Sequence, residues 1–133
     1  MRSKLSKILV TGGAGFIGSA FVRKAIEHGF KVAVIDKITY AGDLRRLDSV
    51  KGKFTFYKTD ICHPQKIAAI IKKERPDAIV HFAAETHVDR SIFDPKPFIE
   101  TNIKGTLNLI TLALKYRVKR FIHISTDEVY GEI

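Results

Sequence analysis

The chain has no tryptophan, one methionine and one cysteine among its 133 residues. With Cys62 alone, an internal disulfide is excluded, and a reducing compartment such as the cytoplasm is expected. Long apolar runs are missing too. None approaches the roughly 20 residues of a membrane-spanning helix, and Ile8-Leu9-Val10 is too short for the apolar region of a secretion signal. His81, His87 and His123 stand at no ligand spacing, so no metal site is expected. Acids are scarce beside bases, 14 against 23, for a net charge of +9. The positive residues fall in three groups: Arg2, Lys4 and Lys7; Lys66, Lys72, Lys73 and Arg75; Lys115, Arg117, Lys119 and Arg120. Each group lies at a terminus or a helix end, where cations suit the helix dipole. A solvated basic surface is therefore expected, with no nucleic-acid or membrane partner, and it would attract a small polyanionic substrate.

What is present is an ordinary globular composition, 45% hydrophobic and 28% charged, long enough for one domain with its own core. Strand-length apolar runs alternate with helix-period segments. Strands are expected at 7–11, 31–36, 54–58, 78–83 and 121–124. Helices are expected at 16–28, with Ile17, Ala20, Phe21 and Ala25 inward, briefly at 43–50, and from Pro64, with Ile67, Ile70 and Ile71 inward. A long helix opens at Asp94-Pro95 and runs to about Tyr116. Ile103, Leu107, Ile110 and Leu114 form one stripe on it, with Leu109 and Leu112 beside them, so it is expected to bury a second face, against a partner subunit. The βαβαβ alternation predicts an α/β fold, a doubly wound parallel sheet between two helical layers.

Thr11-Gly12-Gly13-Ala14-Gly15-Phe16-Ile17-Gly18 joins the first strand to the first helix. Gly12, Gly15 and Gly18 allow a tight turn, close approach to a pyrophosphate, and close helix–sheet packing, while the helix N-terminus offers free N–H groups to the anion. Asp36 ends the second strand, 24 residues after Gly12, where an acid can bind ribose hydroxyls and repel a 2′-phosphate. That favours NAD over NADP, although Lys37 next door works against it; Asp36 could instead be a plain strand-end turn. Asp60-Ile61 follows the third strand, near an adenine or as a cap before Pro64. Ala83-Ala84 after the fourth offers small side chains to a cofactor or simply to packing. Ser125-Thr126-Asp127-Glu128-Val129-Tyr130-Gly131 follows the fifth, putting a hydroxyl and two carboxylates outside a strand's carboxyl end, where ligands of open α/β sheets bind.

Taken together, TGGAGFIG (11–18), DKITYAG (36–42), TDI (59–61), HFAAETHVDRSI (81–92), FIETNIKGT (98–106) and HISTDEVYG (123–131) resemble the N-terminal part of the extended short-chain dehydrogenase/reductases. Within them the chain is most similar to the dehydratases that convert dTDP-glucose to its 4-keto-6-deoxy form. The resemblance implies a Rossmann-like domain over 1–133, and NAD held by Gly12, Gly15, Phe16, Ile17, Gly18, Asp36, Lys37, Ile38, Thr39, Asp60, Ile61, Phe82, Ala83, Ala84, Glu85, Thr86 and Thr101. It also implies a nucleotide-diphosphate sugar touched by Thr86 and Thr126, and a homodimer through the 95–116 helix. In such enzymes the sugar is oxidised at C4, water leaves across C5–C6, and hydride returns to C6. Thr126 matches the hydroxyl near O4, Asp127 the acid that protonates the departing C6 hydroxyl, and Glu128 the base that takes the C5 proton. Such an elimination needs two carboxylates in opposite protonation states.

The family's Y-x-x-x-K pair, which removes the sugar hydroxyl proton, has no match here: Tyr116 is followed by Arg120 at that spacing, on another helix. The substrate domain is absent as well. The sequence is therefore expected to be a fragment, inactive alone, with its fifth strand an exposed edge. Alternatives are a nucleotide-sugar epimerase or decarboxylase, or a non-catalytic NAD-binding module.

Overall fold

A computed structural model describes residues 4–86 and 92–132, and the backbone alone of Glu128. Residues 87–91 of the matched motif, His87 among them, lie outside the described residues. Five strands, β1 (Lys7–Thr11), β2 (Lys31–Asp36), β3 (Phe54–Lys58), β4 (Ala78–His81) and β5 (Arg120–His123), form one parallel sheet in the order β3-β2-β1-β4-β5. The helices are α1 (Phe16–Glu27), α2 (Pro64–Glu74) and α3. This last one joins Lys96–Phe98, a π-helical stretch Ile99–Gly105, and Thr106–Lys115. A 3₁₀ segment covers Leu44–Val50, where a brief helix is expected, and another covers Asp127–Tyr130.

The two-residue period of the strands sorts the core. Leu9, Ala33, Ile35 and Ile79 pack with α2 and α3 on one face of the sheet. Their neighbours Ile8, Val10, Val32, Val34 and Val80 pack with Val22 and Ala25 of α1, and with Leu47 and Val50, on the other. Three layers follow, as the sequence predicts. At the sheet's lower end, Asp77 Oδ2 accepts hydrogen bonds from the Ser6 and Lys7 amides, and Oδ1 accepts one from Lys119 Nζ. Bonds from Lys119 above all, then from Ser6 and Lys7, hold this carboxyl well below its ordinary range.

Three expectations need correction. β4 ends at His81 rather than 83, because from Phe82 onward the chain turns to the glycine loop, the Phe82 amide donating to the Thr11 carbonyl. β5 is shifted one residue earlier than 121–124. On α1 the inward residues are Gly18, Ser19, Val22 and Ala25, with Phe21 packed beside them, whereas Ala20 is exposed and Ile17 is 63% exposed, since the first turn closes against the glycine loop and points Ile17 to the rim. On α3 the core side is Thr101, Gly105, Leu109, Leu112 and Ala113. Ile103, Leu107, Ile110 and Leu114 face outward, Leu114 at 75% exposure, so the helix carries apolar residues on two faces, in keeping with its wide apolar girth in the sequence. β5, an outer strand of the sheet, is largely exposed, as expected of an edge.

Candidate functional site

The strand order reverses between β1 and β4, which makes that junction the topological switch point where open α/β sheets bind ligands. Across the sheet's carboxyl ends stand, in order, Asp60-Ile61, Asp36 to Thr39, Gly12 to Gly18, Phe82 to Thr86, and Thr126 to Glu128. At strand spacing this row is about 19 Å long.

The glycine loop is built to close tolerances. Gly12 has φ +70°, and a Cβ on it would stand 2.6 Å from the Ala83 amide nitrogen. A Cβ on Gly18 would collide with the Gly12 carbonyl. The loop also has outside supports. Ala14 N donates to Asp36 Oδ2 at 3.0 Å, and the Ala14 carbonyl accepts from Asp43 N and from Arg46 Nη1, each at 2.9 Å. Asp36 does close a turn, accepting from Ile38 N at 2.8 Å, and in addition it fastens the loop, a bond that the sequence does not announce. Ile38 sits at φ 55°. A β-branched residue there costs about 1–3 kcal/mol, a strain found mainly at working sites.

Lys37 Nζ lies 3.7 Å from Asp60 Oδ2 and 3.9 Å from Glu85 Oε1. Burial alone would raise the Asp60 pKa, but the Cys62 amide and the Lys37 charge outweigh it and leave it lowered. Asp60 does not cap α2, whose cap position is His63; its Oδ1 accepts from Cys62 N at 2.9 Å. The Ile61 side chain is buried in the core, and its carbonyl accepts from Asn108 Nδ2. Burial, with Asp60 beside it, pushes the Cys62 thiol up to about 11.

After β4, Asn102 grips Glu85 by both backbone groups, accepting from its amide at 2.8 Å and donating to its carbonyl at 3.1 Å. Asn102 belongs to the π-helical stretch, whose Gly105 packs on Ile61. Neither Arg46 nor Asn102 is among the residues that the sequence singles out. His81 is buried, Nδ1 2.6 Å from Thr11 Oγ1 and Nε2 2.8 Å from Thr106 Oγ1. Burial, aided by His123, pulls its pKa down to about 4.

Phe16, Ile17, Ala84, Thr86 and Thr126 are exposed along the rim, Ala83 is half-buried, and Thr101 is buried. Asp127, also exposed, opens the 3₁₀ turn that carries Glu128; the Glu128 side chain lies outside the described residues. Among the described residues no group of three or more His, Cys, Asp or Glu is placed to hold a metal, and no helix is long and apolar enough to cross a membrane. Two open grooves at the opposite pole, one lined by Lys7, Lys31 and Lys53, the other by Lys72, Arg75 and Lys119, contain none of the sequence-predicted site residues.

The sequence pattern of the GDP-mannose 4,6 dehydratase family matches residues 9–133. A dTDP-glucose 4,6-dehydratase of Salmonella typhimurium is 50% identical over 139 aligned residues, covering 96% of this chain and 38% of the relative. The chain thus spans about two fifths of the curated relatives it matches. Among solved structures, the Streptomyces venezuelae dTDP-glucose 4,6-dehydratase with NAD bound superposes with a TM-score of 0.89 at 45% identity, covering 96% of this chain and 41% of that one. A Thermotoga maritima UDP-glucose 4-epimerase gives 0.88 at 40% identity, covering 96% and 40%.

Proposed function

The chain belongs to the GDP-mannose 4,6 dehydratase family, and from that premise we propose that it is the NAD-binding portion of a cytoplasmic nucleotide-sugar 4,6-dehydratase acting on dTDP-glucose. One observation carries the reading: a glycine cradle at the β1/β4 switch point, with Thr126-Asp127-Glu128 one strand away after β5. The cradle fits a dinucleotide. Cβ atoms are excluded at Gly12 and Gly18, and the first turn of α1 directs amides that lack helix partners to the space above.

When bound, NAD would supply the two-electron oxidation at the sugar's C4 and its return at C6. The amides of α1 would hold the pyrophosphate, and Asp36 the adenosine ribose. Thr126 would hydrogen-bond the sugar near O4. Glu128 would take the C5 proton while Asp127 gives a proton to the departing C6 hydroxyl, so that water leaves across C5–C6. Opposite protonation states in two adjacent carboxylates require different surroundings, which a bound sugar would supply.

Titration calorimetry with NAD tests the cofactor reading directly; micromolar binding is expected, and no measurable heat with any dinucleotide would refute it. The same 133-residue polypeptide is expected to release no 4-keto-6-deoxy sugar from dTDP-glucose, as it has no tyrosine followed four residues later by lysine. Product chromatography showing turnover would overturn that. The likeness to the Thermotoga epimerase keeps an epimerase as the second reading. In the intact enzyme an inverted sugar, rather than a 4-keto-6-deoxy one, would decide for it.

The stripe Ile99, Ile103, Leu107, Ile110 and Leu114 on the outer face of α3 supports a homodimer. Leu107→Glu is expected to shift a dimer to monomer, weakening association at least about tenfold. Sedimentation that leaves the variant and the parent alike would remove this role from α3.

A further inference from the structure

Lys37 is the only cation in the segment 36–42. Its position beside Asp36 in sequence suggests a ready partner for a phosphate at the ribose, but the two side chains go separate ways. Asp36 reaches the glycine loop through Ala14 N. The Lys37 ammonium sits between Asp60 and Glu85, 3.7 and 3.9 Å from their oxygens. Both carboxylates have anchors of their own. Asp60 accepts from Cys62 N, while Glu85 accepts from the Tyr40 hydroxyl at 3.0 Å and has its backbone held by Asn102. The pair therefore forms a fixed negative seat, and the flexible lysine is the member that conforms to it. The next cations along the chain are engaged as well, Arg45 with Asp43 and Arg46 with the carbonyls of Ala14 and Ala41.

We propose that Asp60 and Glu85 are specificity-determining residues of the cofactor site: by seating Lys37 between them they withhold its ammonium from a phosphate on the adenosine 2′-oxygen, and so set the site for NAD against NADP. The proposal rests on the reading of this rim as a dinucleotide site. Discrimination then has two parts. Asp36 repels the extra phosphate, and the Asp60–Glu85 seat holds back the ammonium that stands next to Asp36 in sequence.

The test measures calorimetric Kd values for NAD and NADP on the 133-residue chain, on the Asp60→Asn/Glu85→Gln double variant, and on that variant with Lys37→Met added. Both dinucleotides carry the same adenine, so any effect of Asp60 on adenine binding cancels in the ratio of the two Kd values. The double variant is expected to lower Kd(NADP)/Kd(NAD) about tenfold or more, the scale of one freed charge-assisted hydrogen bond. Adding Lys37→Met should restore the ratio. An unchanged ratio in the double variant overturns the proposal. So does an equal fall with Lys37→Met present, which would mean general loss of negative charge rather than release of the lysine. If the double variant fails to fold, Glu85→Gln alone carries the same comparison with an expected fall of about threefold. A parent chain that binds neither dinucleotide refutes the dinucleotide reading itself, a failure distinct from NAD binding with an unmoved ratio.

Discussion

Gly12→Val is expected to destabilise the chain by about 2–6 kcal/mol, to lower its Tm by roughly 10 °C or more, and to abolish NAD binding. Two costs add. Position 12 has φ +70°, where a β-branched side chain is strained, and a Cβ there would meet the Ala83 nitrogen at 2.6 Å and its Cα at 2.8 Å. Those atoms are backbone leaving β4, fixed by the Phe82 amide on the Thr11 carbonyl, so they cannot yield as a side chain would. Gly15 provides the contrast. Its φ is −73° and ψ 174°, conformations open to any residue. A Cβ there meets only the Gly12 carbonyl, at 3.2 Å. Conformation does not demand glycine at 15, and packing asks only that the Gly12 carbonyl give by a few tenths of an ångström, so close approach of a ligand is the larger reason for it. Gly15→Ala should therefore keep stability within about 1 kcal/mol of the parent yet weaken NAD binding at least about tenfold. Thermal melts and calorimetry on the two variants separate the effects. Undiminished NAD affinity in Gly15→Ala would mean that the loop does not cradle a pyrophosphate.

The sheet was legible in the sequence because strand periodicity and strand burial come from the same side chains. Ile8, Leu9 and Val10 are all apolar, which marks a strand covered on both faces, and the structure divides them between the two cores. Helix faces were harder to read. On α3 the large residues Ile103, Leu107, Ile110 and Leu114 lie on the outer face, and the surface against the sheet side is made partly of small residues, Thr101, Gly105 and Ala113. Smallness rather than hydrophobicity is what lets the helix approach: a Cβ on Gly105 would come within 2.5 Å of the Ile61 side chain. A hydrophobicity pattern does not register that, nor the π-helical turn around it.

The glycine loop, Asp36 and the segment after β5 were legible because each follows a strand end and topology collects strand ends on one rim. Arg46 and Asn102 were not. They act on backbone atoms far along the chain, Arg46 on the Ala14 carbonyl and Asn102 on Glu85, and such bonds leave no periodicity or spacing behind. Lys37 shows the converse problem. Adjacency to Asp36 sets it beside the ribose, whereas its ion pairs lie with residues 23 and 48 positions further on, Asp60 and Glu85.

Between pH 6.5 and about 4 the fold is expected to lose up to about 3 kcal/mol through one side chain, His81. The ring is buried between two threonine hydroxyls, with Thr11 on one nitrogen and Thr106 on the other. Protonation need not break either contact, since a hydroxyl oxygen can accept from an N–H. The cost comes first from placing a charge where water cannot reach it, and second from His123, whose ring centroid lies 5.1 Å away. The native pKa is thus depressed to about 4 while the unfolded chain's stays near 6.5. In that interval the unfolded state binds the extra proton. Stability is therefore complete above pH 6.5 and declines as the pH falls toward 4. Carboxylates with lowered native pKa values, Asp60, Glu74 and Asp77, act lower down: their contribution is present above their unfolded values near 4 and is lost beneath them. The range from pH 6.5 to 4.5 accordingly isolates the histidine. Urea titrations across it should show stability falling by about 1 kcal/mol or more per pH unit in the parent chain. His81→Gln should be less stable at pH 7.5, by about 1–3 kcal/mol for imperfectly replaced hydrogen bonds, but nearly level from pH 6.5 to 4.5. A variant that declines as steeply as the parent over that range would assign the proton to another group and leave the Thr11–His81–Thr106 bridge without a role in acid sensitivity.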